Sequence, residues 1–271
     1  MNHSSNPEGY LRRFETEKAP ELPAEISFIE LLSRETKEYG KPIEPQSFVA
    51  AGVYEQSAVD DDQQKLRKRI RELQESGEWK YSGERSQAIT NLLFFLIGRK
   101  ELLKPSDLAW DIVIGSVTRY DDVMRGTDLV ITLCNYETGE EIPIAVDTTT
   151  SVNATVKKKK NIERDLEQGH LRRLKYYTSP VTDKPIGKQE MPAVVIGYEP
   201  DNFEIIAMEW SRHGDGAIKR LNLENSIRQE IVRQLTSQLL ALDELTPEDS
   251  RPRLAEKLQR LIDLLAPVEE N

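Results

Sequence analysis

Three runs rich in β-branched residues follow one another between residues 110 and 150, and they constrain the fold more than any other feature. The runs read WDIVIGSVT, TDLVITLCN and IPIAVDTTT, and polar or glycine-containing turns separate them. Such runs predict strands, and their short connections predict an antiparallel meander. The apolar segment ERSQAITNLLFFLIGRK precedes them and predicts a largely buried helix. A buried helix followed by a meander indicates an α/β or α+β domain.

The flanking segments predict further helices and strands. DDDQQKLRKRIRELQESG predicts a charged, mostly exposed helix, and NATVKKKKNIERDLEQGHLRRLKYYTS predicts a helix with Gly169 as a possible interruption. VTDKPIGKQEMP predicts a loop, AVVIGYEP and FEIIAMEWS predict strands, and two amphipathic helices end the chain. We expect an N-terminal tail with one helix at 1–59, a core at 60–215 and a C-terminal helical extension at 216–271.

Charge and hydropathy exclude some classes of protein. The 271-residue chain carries a net charge of −10, which opposes non-specific attraction of nucleic acid over its whole surface. It has no apolar stretch of about 18 residues, as a membrane-spanning helix needs, and its N-terminus lacks the apolar region of a secretory signal. The single cysteine, Cys134, cannot form an internal disulfide. We therefore expect a cytoplasmic protein with no membrane partner.

Two neighbouring predicted strands each carry one aspartate. The two-residue period of a strand places Asp128 on the face opposite Leu129, and it places Asp147 and Thr149 on one face. If the strands pair, the carboxylates of Asp128 and Asp147 converge, and two such charges at one spot require a cation or a proton. Carboxylate oxygens without a nearby histidine or cysteine suit Mg²⁺ or Mn²⁺. This arrangement indicates chemistry on a phosphodiester.

The order of these features resembles the PD-(D/E)XK nuclease superfamily, in which a helix precedes a meander, one strand gives an Asp and the next gives an Asp/Glu-x-Lys. RYDDVMRGTDLVI supplies the first acidic element, with Asp128, and IAVDTTTS supplies the second, with Asp147. The resemblance covers roughly residues 84–210. It implies a restriction-endonuclease-like mixed central sheet flanked by helices, with extra N- and C-terminal helices. It also implies an Mg²⁺- or Mn²⁺-dependent hydrolase that cleaves nucleic acid, DNA above all, with Asp128 and Asp147 as metal ligands.

The motif is incomplete, because Thr149 stands where the resemblance requires a lysine. Members of this superfamily sometimes take the lysine from the following helix, and VKKKKN offers four lysines there. A helix turns by about 100° per residue, so the four cannot all face the site. Lys158 or Lys160 is favoured as the catalytic lysine. Glu84, just before the buried helix, matches the position of an accessory acid in many members.

Further charged residues surround the two aspartates in the sequence. Asp121 and Asp122 precede Asp128, and either is a candidate to assist the metal. The segment from Lys157 to Tyr177 is basic inside an acidic protein. Its predicted contacts with a nucleic-acid backbone come from Lys157, Lys159, Arg172 and Arg173. The lysine run is also compatible with an ordinary solvated helix face.

Other interpretations remain open from the residues alone. A catalytically inactive module of the same fold, which binds nucleic acid or a protein, is favoured by Thr149 and the acidic surface. The amphipathic terminal helices are compatible with assembly of a homo-oligomer. In the simplest interpretation, Asp128 is a turn residue and Asp147 bonds local amides at the end of its strand.

Overall fold

The computed structural model describes residues 23–37, 43–76, 84–98, 109–214 and 216–266. The helices in these ranges are α1 (Pro23–Glu35), α2 (Gln46–Ala50), α3 (Gln56–Glu75), α4 (Glu84–Gly98), α5 (Arg119–Arg125), α6 (Val152–Glu167), α7 (Pro200–His213), α8 (Gly216–Arg220), α9 (Leu223–Leu245) and α10 (Arg251–Leu265). The strands are β1 (Asp111–Ser116), β2 (Leu129–Asn135), β3 (Glu140–Thr149), β4 (Arg172–Ser179), β5 (Lys184–Met191) and β6 (Ala193–Gly197).

Four of the strands form one mixed sheet in the order β1-β2-β3-β6. The first three form an antiparallel meander, in which Ile131 lies opposite Ile114 on one side and Ile144 on the other. β6 runs parallel to β3, with Val195 opposite Asp147. α6 and the antiparallel β4–β5 hairpin lie between β3 and β6 in the chain. The predicted meander and the mixed sheet flanked by helices are therefore confirmed.

Alternate residues of the central strands are buried on opposite faces of the sheet, as the two-residue period requires. One face packs against α4, α7, α9 and α10, and its buried residues on β2 and β3 are Leu129, Ile131, Leu133, Ile142, Ile144 and Val146. The other face packs against α6 and the β4–β5 hairpin, and its buried residues include Val130, Ala145, Leu174, Tyr177 and Val195. Residues 88–97 of α4 are all buried, which confirms the prediction of a core helix.

The C-terminal helices belong to the main core. Leu235 on α9 and Leu258 on α10 are fully buried in the same cluster as Val194 of the sheet. The apolar residues of α10 face α9, while Leu240 of α9 is 74% exposed. The predicted assembly of oligomers through the terminal helices stays a prediction. No helix in the described ranges is both long and apolar enough to cross a membrane.

β6 is an edge strand, and side chains of α9 cover its free edge. Oε1 of Gln234 accepts a hydrogen bond from the N–H of Val195 at 2.9 Å, and its Nε2 donates to the carbonyl of Val195 at 2.7 Å. Nε2 of Gln238 donates to the carbonyl of Ala193 at 2.9 Å. These amides replace the backbone partners that another strand would supply, so the edge is closed to further pairing.

The segment after α6 differs from the helix that the sequence predicts. α6 ends at Glu167, and Gly169 follows with φ of +73°, in the left-handed region that commonly ends helices. Residues 172–179 then form β4 and pair with β5, which the sequence predicts to be a loop. The prediction was wrong because Leu171, Leu174 and Tyr177 fit a helical stripe and a strand comparably well.

α7 is the second difference, because its sequence FEIIAMEWS predicts a strand. The segment begins with Pro200 in the first turn, where proline is favoured in a helix. Phe203, Ile206 and Ala207 are buried and recur at helical spacing. Packing of this face on α1 and the main core therefore selects the helix.

Candidate active site

Asp128 and Asp147 meet at one end of the mixed sheet. Asp128 directly precedes β2, and its N–H donates to the carbonyl of Val146 at 2.9 Å, so it continues the β2–β3 ladder. Its Oδ2 accepts hydrogen bonds from the N–H and the Oγ1–H of Thr148, at 2.5 and 2.6 Å. The carboxylate of Asp128 is thus held against the strand that carries Asp147. The predicted pairing of the two strands is confirmed.

Lys158 brings a positive charge to this pair from α6. Its Nζ donates to Oδ1 of Asp147 and, at 2.5 Å, to the carbonyl of Thr148. The side chains of Lys158 and Asp147 are 26% and 11% exposed, so water screens the pair only partly. Ser151 sets the start of α6, since its Oγ accepts a hydrogen bond from the N–H of Ala154. Lys158 lies almost two turns beyond this cap.

Asp122 on α5 adds a third carboxyl group close to those of Asp128 and Asp147. Partial burial of this group, and then the charges of Asp128 and Asp147, raise the pKa of Asp122, although the residue as a whole is exposed. Burial raises the pKa of Asp147 to about 7; Lys158 opposes this rise and Asp128 adds to it. The three carboxyl groups therefore lie near a single ammonium group, that of Lys158, which cannot neutralise all of their negative charge. The repulsion that remains between the carboxylates favours the binding of a proton or a cation.

Asp121, the neighbour of Asp122, has a structural role. It is fully buried, and it accepts hydrogen bonds from the N–H groups of Lys175 at 2.8 Å and Tyr176 at 3.0 Å. Thr118 caps α5 and also donates its hydroxyl to Asp121 at 3.0 Å. Burial raises the pKa of Asp121, and the hydrogen bonds from β4 oppose this rise. Asp121 therefore ties α5 to β4 and thereby positions Asp122.

The turn between α5 and β2 forms a wall beside Asp147. Gly126 has φ of +63°, and a Cβ built on it would lie 3.1 Å from Oδ2 of Asp147. Arg172 of β4 donates from Nη1 to the carbonyls of Arg125 and Gly126, and its Nε lies 2.9 Å from Oδ2 of Asp165 on α6. Arg172 is 8% exposed. It therefore joins the turn, β4 and α6 around the site, while its predicted contact with nucleic acid stays a prediction.

The other residues predicted for the site lie in different surroundings. Lys160 and Lys157 are exposed on α6. Nζ of Lys159 lies 3.5 Å from Oε1 of Glu230, and Nε of Arg173 lies 3.6 Å from Oε1 of Glu190. The contacts with nucleic acid predicted for Lys157, Lys159 and Arg173 stay predictions, and so does the catalytic role predicted for Lys160 as the alternative to Lys158.

The helix α4 reaches the site through Thr90. Oγ1 of Thr90 lies 2.9 Å from Oγ1 of Thr148, which in turn is bonded to Asp128. Glu84 is the first residue of α4, but its side chain lies outside the described part of the chain. The assisting role predicted for Glu84 therefore stays a prediction. The sequence signals neither Thr90 nor Thr148 as a site residue, because both resemble ordinary threonines of a helix and a strand.

The donor atoms of the site are hard oxygens. Within the described ranges, no group of three or more His, Cys, Asp or Glu is placed to hold a metal ion. Mg²⁺, however, commonly uses only one or two carboxylates and completes its coordination with waters and a substrate phosphate. The carboxylates of Asp128 and Asp147 fit that chemistry, and Mn²⁺ accepts the same ligands.

Comparisons with known proteins yield no similar protein from which to infer a role. Family models, curated proteins and solved structures all fail to match this chain. The functional conclusion therefore depends on the arrangement of Asp122, Asp128, Asp147 and Lys158.

Proposed function

We propose that this protein is a metal-dependent nuclease that hydrolyses phosphodiester bonds of nucleic acid, and of DNA in the first place. The observation that carries the proposal is the convergence of Asp128, Asp147 and Lys158 at one end of the mixed sheet. The element order adds support: α4, the antiparallel meander, α6, and then β6 parallel to β3. This order agrees with the resemblance to PD-(D/E)XK nucleases.

Lys158 can replace the lysine that the motif lacks at Thr149. In the motif this lysine lies two residues after the acid, on the same face of the strand. Thr149 occupies that position without a charge, and its Oγ1 accepts a hydrogen bond from the N–H of Ser151. The ammonium of Lys158 instead reaches Asp147 from α6. A positive charge is thus supplied to the same carboxylate by a different element.

Each residue has a distinct role in the proposed reaction. A bound Mg²⁺ or Mn²⁺ would lower the pKa of a water and stabilise negative charge on the phosphate. Asp128 and Asp147 would hold the ion, and the two hydrogen bonds from Thr148 fix the orientation of Asp128 beforehand. Lys158 would stabilise charge that develops on the phosphate or on the attacking oxygen. Asp122 would complete the negative environment that attracts the ion.

The test is cleavage of supercoiled plasmid and labelled oligonucleotides with Mg²⁺, with Mn²⁺ and with EDTA. We expect cleavage that needs the metal and is lost in Asp128→Ala. Removal of one preorganised charge typically costs about 10²- to 10³-fold in rate, so Lys158→Met should fall by that factor. Lys160→Met is the matched control, since Lys160 is exposed on the same helix and should keep its rate. Metal-dependent cleavage that persists in Asp128→Ala would refute the assignment.

The second candidate is a catalytically inactive protein of similar architecture that binds nucleic acid or a protein. The contact between Lys158 and Asp147 favours it, because the ammonium occupies an oxygen that would otherwise be free for a metal. Calorimetric titration with Mn²⁺ separates the two candidates. Binding by the wild type that disappears in Asp128→Ala with Asp147→Asn supports the nuclease. Absence of binding to the intact wild type supports the inactive module.

A further inference from the structure

Helix α3 carries exposed positive charge in an acidic protein. Residues 65–71, KLRKRIR, contain five basic residues and no acidic one, while the net charge of the chain is −10. All five basic side chains are exposed. Arg69 forms an ion pair with Glu72, in which Nη1 of the arginine lies 3.4 Å from Oε2 of the glutamate. The other four, which have no ion-pair partner within the described part of the chain, form what we call the α3 basic face: Lys65, Arg67, Lys68 and Arg71.

The basic segment from Lys157 to Tyr177 differs from α3, because five of its eight Lys and Arg residues are paired with carboxylates inside the protein. Its ion pairs are Lys158 with Asp147, Lys159 with Glu230, Arg172 with Asp165, Arg173 with Glu190 and Lys175 with Asp62. A basic side chain that already has a carboxylate partner must lose it, or share it, to bind a phosphate. The residues of the α3 basic face do not have to break such a pair.

The α3 basic face borders a groove of about 430 Å³ between α3 and α5. Arg67 and Ile70 line it from α3, and Arg119 and Tyr120 line it from α5. Asp122 follows Arg119 by three residues, and residues at this spacing are neighbours on one side of a helix. Both are exposed. One end of the groove therefore lies about one helical turn from the candidate active site.

The wall formed by α5 is held firmly in place. Tyr120 is buried against Tyr176, with their ring centroids 5.7 Å apart, and Asp121 accepts the two hydrogen bonds from β4 described above. Asp62 on α3 accepts a hydrogen bond from the hydroxyl of Tyr176 at 2.6 Å. α3 and α5 are thus anchored to the same strand. Their basic residues consequently keep a defined position relative to Asp122.

The chemistry of the α3 basic face suits a phosphate backbone. Arg67 and Arg71 are four residues apart, which places them about 6 Å apart along the helix. A guanidinium can bind phosphate oxygens through two parallel hydrogen bonds. Each phosphate that a basic residue neutralises also releases condensed counterions, which favours binding. The negative charge of the rest of the protein repels the backbone elsewhere and so restricts binding to this face.

We propose that the α3 basic face binds the sugar-phosphate backbone of nucleic acid and directs it along the α3–α5 groove toward Asp122, Asp128 and Asp147. The part of this proposal that directs the nucleic acid to the candidate active site rests on the proposed function. Binding at α3 itself is independent of catalysis, because none of its residues belongs to the candidate active site.

The test is fluorescence anisotropy of a labelled DNA duplex of 30 base pairs with the full-length protein, in EDTA and at several KCl concentrations. The variant combines Arg67→Gln with Arg71→Gln. Each phosphate contact contributes about 0.9 to the slope of log K against log salt, so two lost contacts should lower it by about 1.8. At about 0.1 M salt the same relation gives roughly 60-fold weaker binding.

The matched control combines Lys219→Gln with Lys257→Gln, which removes the same charge from α8 and α10. We expect it to bind within about twofold of the wild type, since these residues lie outside the basic face. Equal weakening in both double variants would overturn the proposal, because net charge alone would then explain binding. Tighter binding of polyglutamate than of the duplex would overturn it in favour of an acidic protein partner.

Cleavage by the same preparations keeps the two proposals apart. DNA binding that depends on Arg67 and Arg71, with no cleavage under any condition, would support the α3 basic face and count against the nuclease. Unaltered DNA binding by the Arg67 and Arg71 variant, with metal-dependent cleavage that Asp128→Ala abolishes, would reject the α3 basic face and support the nuclease.

Discussion

Asp121 and Asp122 are adjacent acids on α5, and the structure predicts opposite consequences for their substitution. Asp121 is fully buried and serves as the acceptor for two N–H groups of β4, at 2.8 and 3.0 Å. Asp122 is exposed and faces the carboxylates of Asp128 and Asp147. Replacement of Asp121 should therefore reduce stability, whereas replacement of Asp122 should reduce activity.

The magnitude for Asp121 follows from its hydrogen bonds. In Asp121→Asn one oxygen still accepts, but the amide nitrogen cannot accept from the second N–H group. A buried donor without a partner costs about 1–3 kcal/mol, so Asp121→Asn should lower the free energy of unfolding by that amount. Asp121→Ala leaves both N–H groups without their acceptor and should lower it by roughly 2–6 kcal/mol.

Asp122→Asn removes a charge that its neighbours repel. The pKa of Asp122 is raised, which means that the folded protein disfavours its ionised form. The free energy of unfolding should consequently stay unchanged or rise in this variant above neutral pH. Metal-dependent cleavage should fall, because the negative environment of the ion is weakened.

Urea denaturation followed by circular dichroism, in EDTA at pH 8, measures the first quantity for all three variants, and plasmid cleavage measures the second. The adjacent positions control for each other, since both lie on the same short helix. The reasoning would be refuted if Asp121→Asn were as stable as the wild type, or if Asp122→Asn were the less stable of the two asparagine variants.

Three further substitutions have defined outcomes. Gly126→Ala should lower the free energy of unfolding by about 1–2 kcal/mol, the cost of the left-handed conformation; its Cβ should also displace the carboxylate of Asp147 and reduce cleavage more than stability suggests, as urea denaturation and cleavage rates would show. Gln234→Leu leaves the buried N–H and carbonyl of Val195 without partners and should cost roughly 2–6 kcal/mol in urea denaturation; a change below about 0.5 kcal/mol would contradict the role of α9 as the cover of β6. Lys158→Arg should retain more cleavage activity than Lys158→Met, because it keeps the charge next to Asp147; equal rates would argue against a role for that charge.

The central elements of this protein were predictable because their local pattern has one interpretation. The β-branched runs of β1, β2 and β3 are separated by short turns, and these features are local properties of the chain. The convergence of Asp128 and Asp147 followed once neighbouring strands were assumed to pair. α4 was predictable for the same reason, since its residues are apolar on nearly every side and only a buried helix accommodates them.

β4 and α7 were not predictable in this way, because each sequence fits two periods. Arg173 and Lys175 of β4 alternate with the buried Arg172, Leu174 and Tyr176. Two N–H groups of β4 donate to Asp121, which lies more than 50 residues earlier in the chain. α7 is helical because Phe203 and Ile206 fit the core at that spacing. In both cases long-range contacts outweighed local preference.

Residue types and strand periodicity in this chain were sufficient to predict an antiparallel meander with two aspartates at one end and a lysine-rich helix after it. They were insufficient to distinguish Lys158 from Lys160, or Asp121 from Asp122. The two residues of each pair have the same charge and lie one or two positions apart. They differ in the direction in which the side chain leaves its helix. That direction relative to the sheet depends on how α5 and α6 pack against it. The local sequence does not determine this packing.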